Sequence, residues 1–125
     1  MRILFLFSLL LTFFNLQSQV INEDLVYKHI SYLSSDELEG RKSGTQGIEL
    51  AARYIEKEFE IIGLKTFSSD NYRQNFESRG LNLFNVIGLL EGKEKPNEYI
   101  VISAHYDHIG INNDLEGDNI FNGAN

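Results

Sequence analysis

Residues 99–110, YIVISAHYDHIG, run through apolar and β-branched side chains and end in two histidines and an aspartate. Ile100, Val101 and Ile102 favour a pleated strand. With no clean polar alternation ahead of His105, the pattern predicts a strand buried on both faces, as inside an α/β sheet. Open α/β sheets hold ligands in the crevice beyond the carboxyl ends of their strands, so a strand closing near Ala104 delivers His105, Asp107 and His108 to a site. In extended backbone His105 and Asp107 fall on one face. Neutral imidazole is a common zinc ligand, and a nearby carboxylate orients such a ligand and raises its basicity. His-x-Asp therefore has a metal reading beside a plain one, in which a histidine at a strand end is a solvated polar terminus. Residues 112–125, rich in Asn, Asp and Gly, have the composition of a site loop and favour the metal reading.

The words SAHYDHIG (103–110) and GDNIFNGAN (117–125) resemble the zinc-dependent aminopeptidases typified by aminopeptidase Y, family twenty-eight of the metallopeptidases. There an AHYDH-like strand end precedes an NGA-x-DN-x-SG-like loop. The words DELEGRKSGTQG (36–47) and AARYIEKEF (51–59) are similar to the N-terminal region of the same family. The resemblance implies a mixed-sheet α/β/α sandwich of the zinc exopeptidase type, of which residues 19–125 form the N-terminal part. It implies two zinc ions held by two histidines, a bridging aspartate, a second aspartate and a glutamate, with a separate glutamate as general base. Of the metal ligands only the first maps here, onto His105. Asp107 maps onto the catalytic-site aspartate that stands behind that histidine, and the bridging aspartate falls immediately after Asn125. His108 is left open between contact with substrate and positioning of the loop. The implied substrate is a peptide, cleaved at its N-terminal bond by metal-activated water. With most ligands missing, residues 1–125 alone are expected to be inactive. The alternatives are a glutaminyl cyclase-like enzyme on the same scaffold and a non-catalytic exported binding module.

Composition narrows the field further. The 125 residues are 42% hydrophobic with one proline and no cysteine, which suits one modest globular domain. Without cysteine any metal must be held by His, Asp or Glu. A net charge of -7 argues against nucleic-acid binding, which needs a basic patch. Arg2, the apolar core 3–14 and the small Ser18 in LQSQ (16–19) form a signal-peptide pattern over residues 1–18. Its apolar core is shorter than the roughly 20 residues of a membrane-spanning helix, so no stable membrane anchor is expected. The expected location is periplasmic or extracellular. Oligomeric state leaves no trace in the sequence.

Between these landmarks the chain reads as scaffold. Asn22 can cap a helix with Leu25, Val26, Ile30 and Leu33 on its apolar face and Glu23 and Asp24 in its first turn. His29 on this helix reads as an ordinary, partly exposed surface histidine. The polar linker 34–44 ends in a capping box, Ser43 to Gln46, for a second helix with the stripe Ile48, Ala52, Ile55, Phe59 and Ile62. Glu56, Lys57, Glu58 and Glu60 are expected to face water, and Gly63 with Leu64 to close the helix in a Schellman-type turn. A short edge strand is expected near 72–76 and an apolar strand over 83–90. The connection 91–98 is too short for a helical crossover, so 83–90 and 99–104 are expected to pair antiparallel in a mixed sheet. Two imitations fail. Gly88 to Lys93 has the wrong spacing for a phosphate loop, and Glu94 follows where Ser or Thr is needed. Asn112, Asp114, Glu116 and Gly117 open like a calcium-binding hand, but its twelfth position is Gly123 instead of glutamate.

Overall fold

A computed structural model describes residues 21–68 and 70–123; the expected signal segment lies outside them. The order is helix α1 (Glu23–Leu33), a 3₁₀ segment (Asp36–Arg41), helix α2 (Gln46–Ile61), and strands β1 (Lys65–Thr66), β2 (Arg73–Ser78), β3 (Leu81–Val86), β4 (Gly88–Leu89), β5 (Gly110–Ile111) and β6 (Ile120–Phe121). No helix among the described residues is long and apolar enough to cross a membrane.

Both helices start and stop for legible reasons. The Asn22 side chain accepts a hydrogen bond from the Leu25 amide at 3.2 Å, relieving one of the unpaired donors at the start of α1. Helix α2 closes as a Schellman motif: Leu64 N donates to Phe59 O at 3.0 Å and Gly63 N to Glu60 O at 3.1 Å, with Gly63 at φ +76°. Its start differs from the expected capping box. Thr45 stands at the N-cap without capping, because its hydroxyl donates instead to Lys42 O at 2.7 Å.

The core is small and lies where α2 meets the 3₁₀ segment. Leu38, Ala51 and Ala52 are fully buried and Ile48 nearly so. The approach is close enough that a Cβ on Gly47 would stand 1.9 Å from Leu38 O, a position only glycine can hold. The far end of the expected stripe lies outside this core, with Ile62 65% exposed. Glu56 and Glu58 do not simply face water. Glu58 pairs with Lys28 of α1 at 2.9 Å. Glu56 and Glu49 grip Arg73 of β2, whose guanidinium lies 4.2 Å from the centre of the Phe84 ring.

The sheet differs most from expectation. Among the described residues three separate two-stranded antiparallel ladders form: β1 with β4, β2 with β3, and β5 with β6. The β2–β3 hairpin runs from Arg73 opposite Val86 to Ser78 opposite Leu81. Arg79 and Gly80 turn it with φ of 53° and 76°, the two left-handed residues that suit a tight hairpin. The apolar run at 83–90 is thus divided between two partners, both N-terminal to it, and does not pair with 99–104. Residues 99–104 form no strand; Ile100, Val101 and Ile102 are 95%, 84% and 94% exposed. A β-branched run has the local preference for extended backbone, but a strand exists only through a neighbour's amides and carbonyls. Among the described residues no segment supplies that edge, so the expected α/β/α sandwich with a mixed sheet is not formed and a small α/β arrangement stands in its place.

Candidate functional site

His105, Asp107 and His108 are brought together with the linker 34–44 and with the return of the chain at 120–123. Lys42 and His108 form a parallel bridge, in which His108 N donates to Arg41 O at 3.0 Å. The β5–β6 hairpin then folds back beside the 3₁₀ segment. Its loop is held by side chains that mimic backbone: Asn112 Oδ1 accepts from Asp114 N at 3.0 Å, and Asp118 Oδ1 from Ile120 N at 3.3 Å. A Cβ on Gly40 would fall 2.5 Å from Gly110 O and 2.7 Å from Phe121 O, so glycine there admits both strands of the hairpin.

His105 is 79% exposed, and its Nδ1 lies 2.8 Å from the main-chain oxygen of Asp107 and 3.3 Å from Oδ1 of the same residue. A carbonyl oxygen only accepts, so Nδ1 carries the proton and the neutral ring keeps its lone pair on Nε2. The Asp107 carboxylate is held from its other oxygen by Ser43 Oγ, which donates to Oδ2 at 2.8 Å. An open groove of about 360 Å³ lies beside these groups, lined among others by Ser43, Glu49, Asn82, Leu83, His105 and Asp107. Between the two site residues, Tyr106 points inward and its hydroxyl donates to Phe84 O at 3.3 Å. Burial pushes that phenol up to about 12, with Arg73 opposing the shift.

The other histidines take different parts. The His108 ring packs against the returning loop, where a Cβ on Gly123 would come within 2.3 Å of it. His29 is half-buried on α1 with Nδ1 2.7 Å from the Tyr54 hydroxyl.

Two residues that sequence reasoning left in a linker, Arg41 and Ser43, touch the site directly. Arg41 is 4% exposed and stands at φ 50°, a left-handed conformation that turns its side chain inward. Its Nε donates to Tyr106 O at 2.8 Å, Nη2 to Gly123 O at 3.1 Å, and Nη1 to Leu33 O. Burial lowers its pKa from the ordinary guanidinium value, and Asp107 opposes that shift. On the same loop Asn122 Nδ2 donates to Asp36 Oδ1 at 2.9 Å, while its Oδ1 is buried without a partner. The only available signal was the word DELEGRKSG itself, which carries both residues.

The donor set fits zinc in part. His105, with Nε2 free and Nδ1–H held by Asp107, has the form of one ligand with its orienting partner. A catalytic zinc takes three protein ligands, and among the described residues no three His, Cys, Asp or Glu side chains gather into a metal-holding group.

Residues 85–125 match the model of peptidase family M28, the same family whose strand-end and loop words the sequence resembles. The match takes in His105, Asp107, His108 and the 120–123 return but leaves the 36–59 words uncovered. No curated protein and no solved structure matches the chain.

Proposed function

We propose that the chain serves an exported zinc-dependent exopeptidase, in the first instance an aminopeptidase, with His105 as a metal ligand and Asp107 as the group that orients it. The observation that carries this reading is the contact of His105 Nδ1 with Asp107, 2.8 Å from its main-chain oxygen and 3.3 Å from Oδ1. The protonated Nδ1 faces Asp107 while Nε2 is left with a lone pair at the exposed surface. The family match over 85–125 supports it. Asp107 orients the ring through this contact, and Ser43 holds the carboxylate in place. Zinc bound at such a position supplies Lewis acidity toward a scissile carbonyl. The reading requires at least two further ligands from outside residues 21–123.

The test is zinc stoichiometry and hydrolysis of aminoacyl anilides by the natural protein and two variants. His105→Ala should lose one zinc and nearly all turnover, and Asp107→Asn should lose about 10- to 100-fold in zinc affinity or activity. Wild-type zinc content in His105→Ala would remove His105 from the site. Cyclisation of N-terminal glutamine peptides in place of hydrolysis would move the reading to the cyclase branch. Mass spectrometry of the exported protein should find its N-terminus near Ser18 or Gln19; an intact Met1 would overturn the export reading.

A further inference from the structure

We infer that Arg41 is a positioning residue that locks the His105–Asp107 segment and the returning 120–123 loop into one geometry; this rests on the metal reading of His105. Three chain segments meet at its guanidinium. Nε takes the carbonyl of Tyr106, the residue between His105 and Asp107, and Nη2 takes that of Gly123, beside the His108 ring. Nη1 anchors the fork to the end of α1 through Leu33 O. The main chain of Arg41 adds a fourth tie, its own carbonyl accepting from His108 N.

The chemistry explains why arginine stands there. A buried cation needs its N–H donors satisfied, and only a planar guanidinium presents five of them in a fixed fork. Carbonyls on three different segments are therefore fixed relative to one another by one rigid group. Lysine offers a compact ammonium on a flexible stem and cannot hold the same three oxygens at once. A ligand set drawn from separate loops must be placed within about half an ångström, so loss of this tie should be felt first in metal affinity. Arg41 itself touches no metal and no substrate.

The experiment measures zinc affinity by chelator competition and the melting of the metal-free natural protein, for wild type, Arg41→Lys, Gly123→Ala and His105→Ala. Gly123→Ala breaks the tie from the other end, since its new Cβ would collide with His108 and push the Gly123 carbonyl away from Arg41. Expected for Arg41→Lys is zinc binding about 10- to 100-fold weaker in the folded protein, together with a lowered metal-free melt from the charge and carbonyls left unpaired. A merely structural arginine would lower the melt and leave zinc affinity of the folded protein unchanged, which overturns the inference. If Arg41→Lys does not fold, Gly123→Ala decides: weakened zinc binding supports the tie, and wild-type binding overturns it. The control separates the two levels. Zinc binding intact in His105→Ala removes the metal reading altogether, whereas zinc lost there but kept in the other two variants removes only Arg41.

Discussion

Replacing Ile100 and Ile102 together by threonine distinguishes the observed structure from the buried strand that the sequence predicts. Threonine keeps the β-branched backbone preference, so the change isolates side-chain burial. A fully buried isoleucine contributes about 1.5–3 kcal/mol through removal from water, and cutting one back in a packed core costs about 2–5 kcal/mol once the cavity is counted. Two buried positions would thus remove about 4–10 kcal/mol, comparable to a whole domain's stability of about 5–15 kcal/mol. In the structure the two residues are 95% and 94% exposed and have almost no burial to lose. The double variant should therefore unfold within about 0.5 kcal/mol per site of wild type. Urea titration of this 125-residue chain followed by circular dichroism, with the slope checked for constancy, measures the difference. Light scattering should show less self-association in the variant, because an uncovered apolar segment is a template for edge pairing. A loss of several kcal/mol, or of the cooperative transition, would refute the exposed placement.

Two further outcomes follow from the scaffold. Arg73 holds the Glu49 carboxyl below its ordinary range by hydrogen bonding. Between the two pKa values the unfolded chain binds more protons, so this stabilisation is present above the unfolded Glu pKa of about 4.3 and is lost as pH falls through the folded value. Arg73→Gln should flatten the acid limb of stability measured by urea titration from pH 6 to 2.5, and an unchanged slope would remove the Glu49–Arg73 pair as its source. Gly47→Ala should destabilise: helix propensity alone favours alanine by about 1 kcal/mol, but the new Cβ would stand 1.9 Å from Leu38 O. A raised melting temperature would show that α2 and the 3₁₀ segment are not in such close contact.

What the sequence made legible is what depends on neighbours along the chain. The Asn22 cap, the amphipathic body of α2 and the Gly63 stop are decided within one or two turns, and each stands where the local pattern puts it. The β2–β3 hairpin was half-seen, because an edge strand at 72–76 was legible but its partner was not. Pairing is a contest among segments far apart in sequence. Residues 83–90 met β2 and β1 instead of 99–104, and nothing in the composition of 99–104 ranks those partners. The resemblance to the peptidase family held where the matched stretch lies, at 85–125, since strand-end and loop words are local too.

The site divides along the same line. His105 and Asp107 are two residues apart, so their contact is local and readable from His-x-Asp alone. Arg41 and Ser43 lie more than sixty residues from Tyr106 and Asp107, and the partners of Arg41 are carbonyl oxygens. Every residue has a carbonyl, so no residue type marks the acceptor, and only the donor leaves a trace in the sequence. That trace is an arginine between glycine-bearing words in a segment otherwise fit to be a solvated linker. Its left-handed φ decides the matter: an arginine at φ 50° and 4% exposure incurs about 1–3 kcal/mol of backbone strain besides the cost of burying a cation. The hydrogen bonds to Leu33, Tyr106 and Gly123 are what offset it. A polar linker would avoid both costs by turning the side chain to water, so the inward turn places Arg41 with the site and not with the surface.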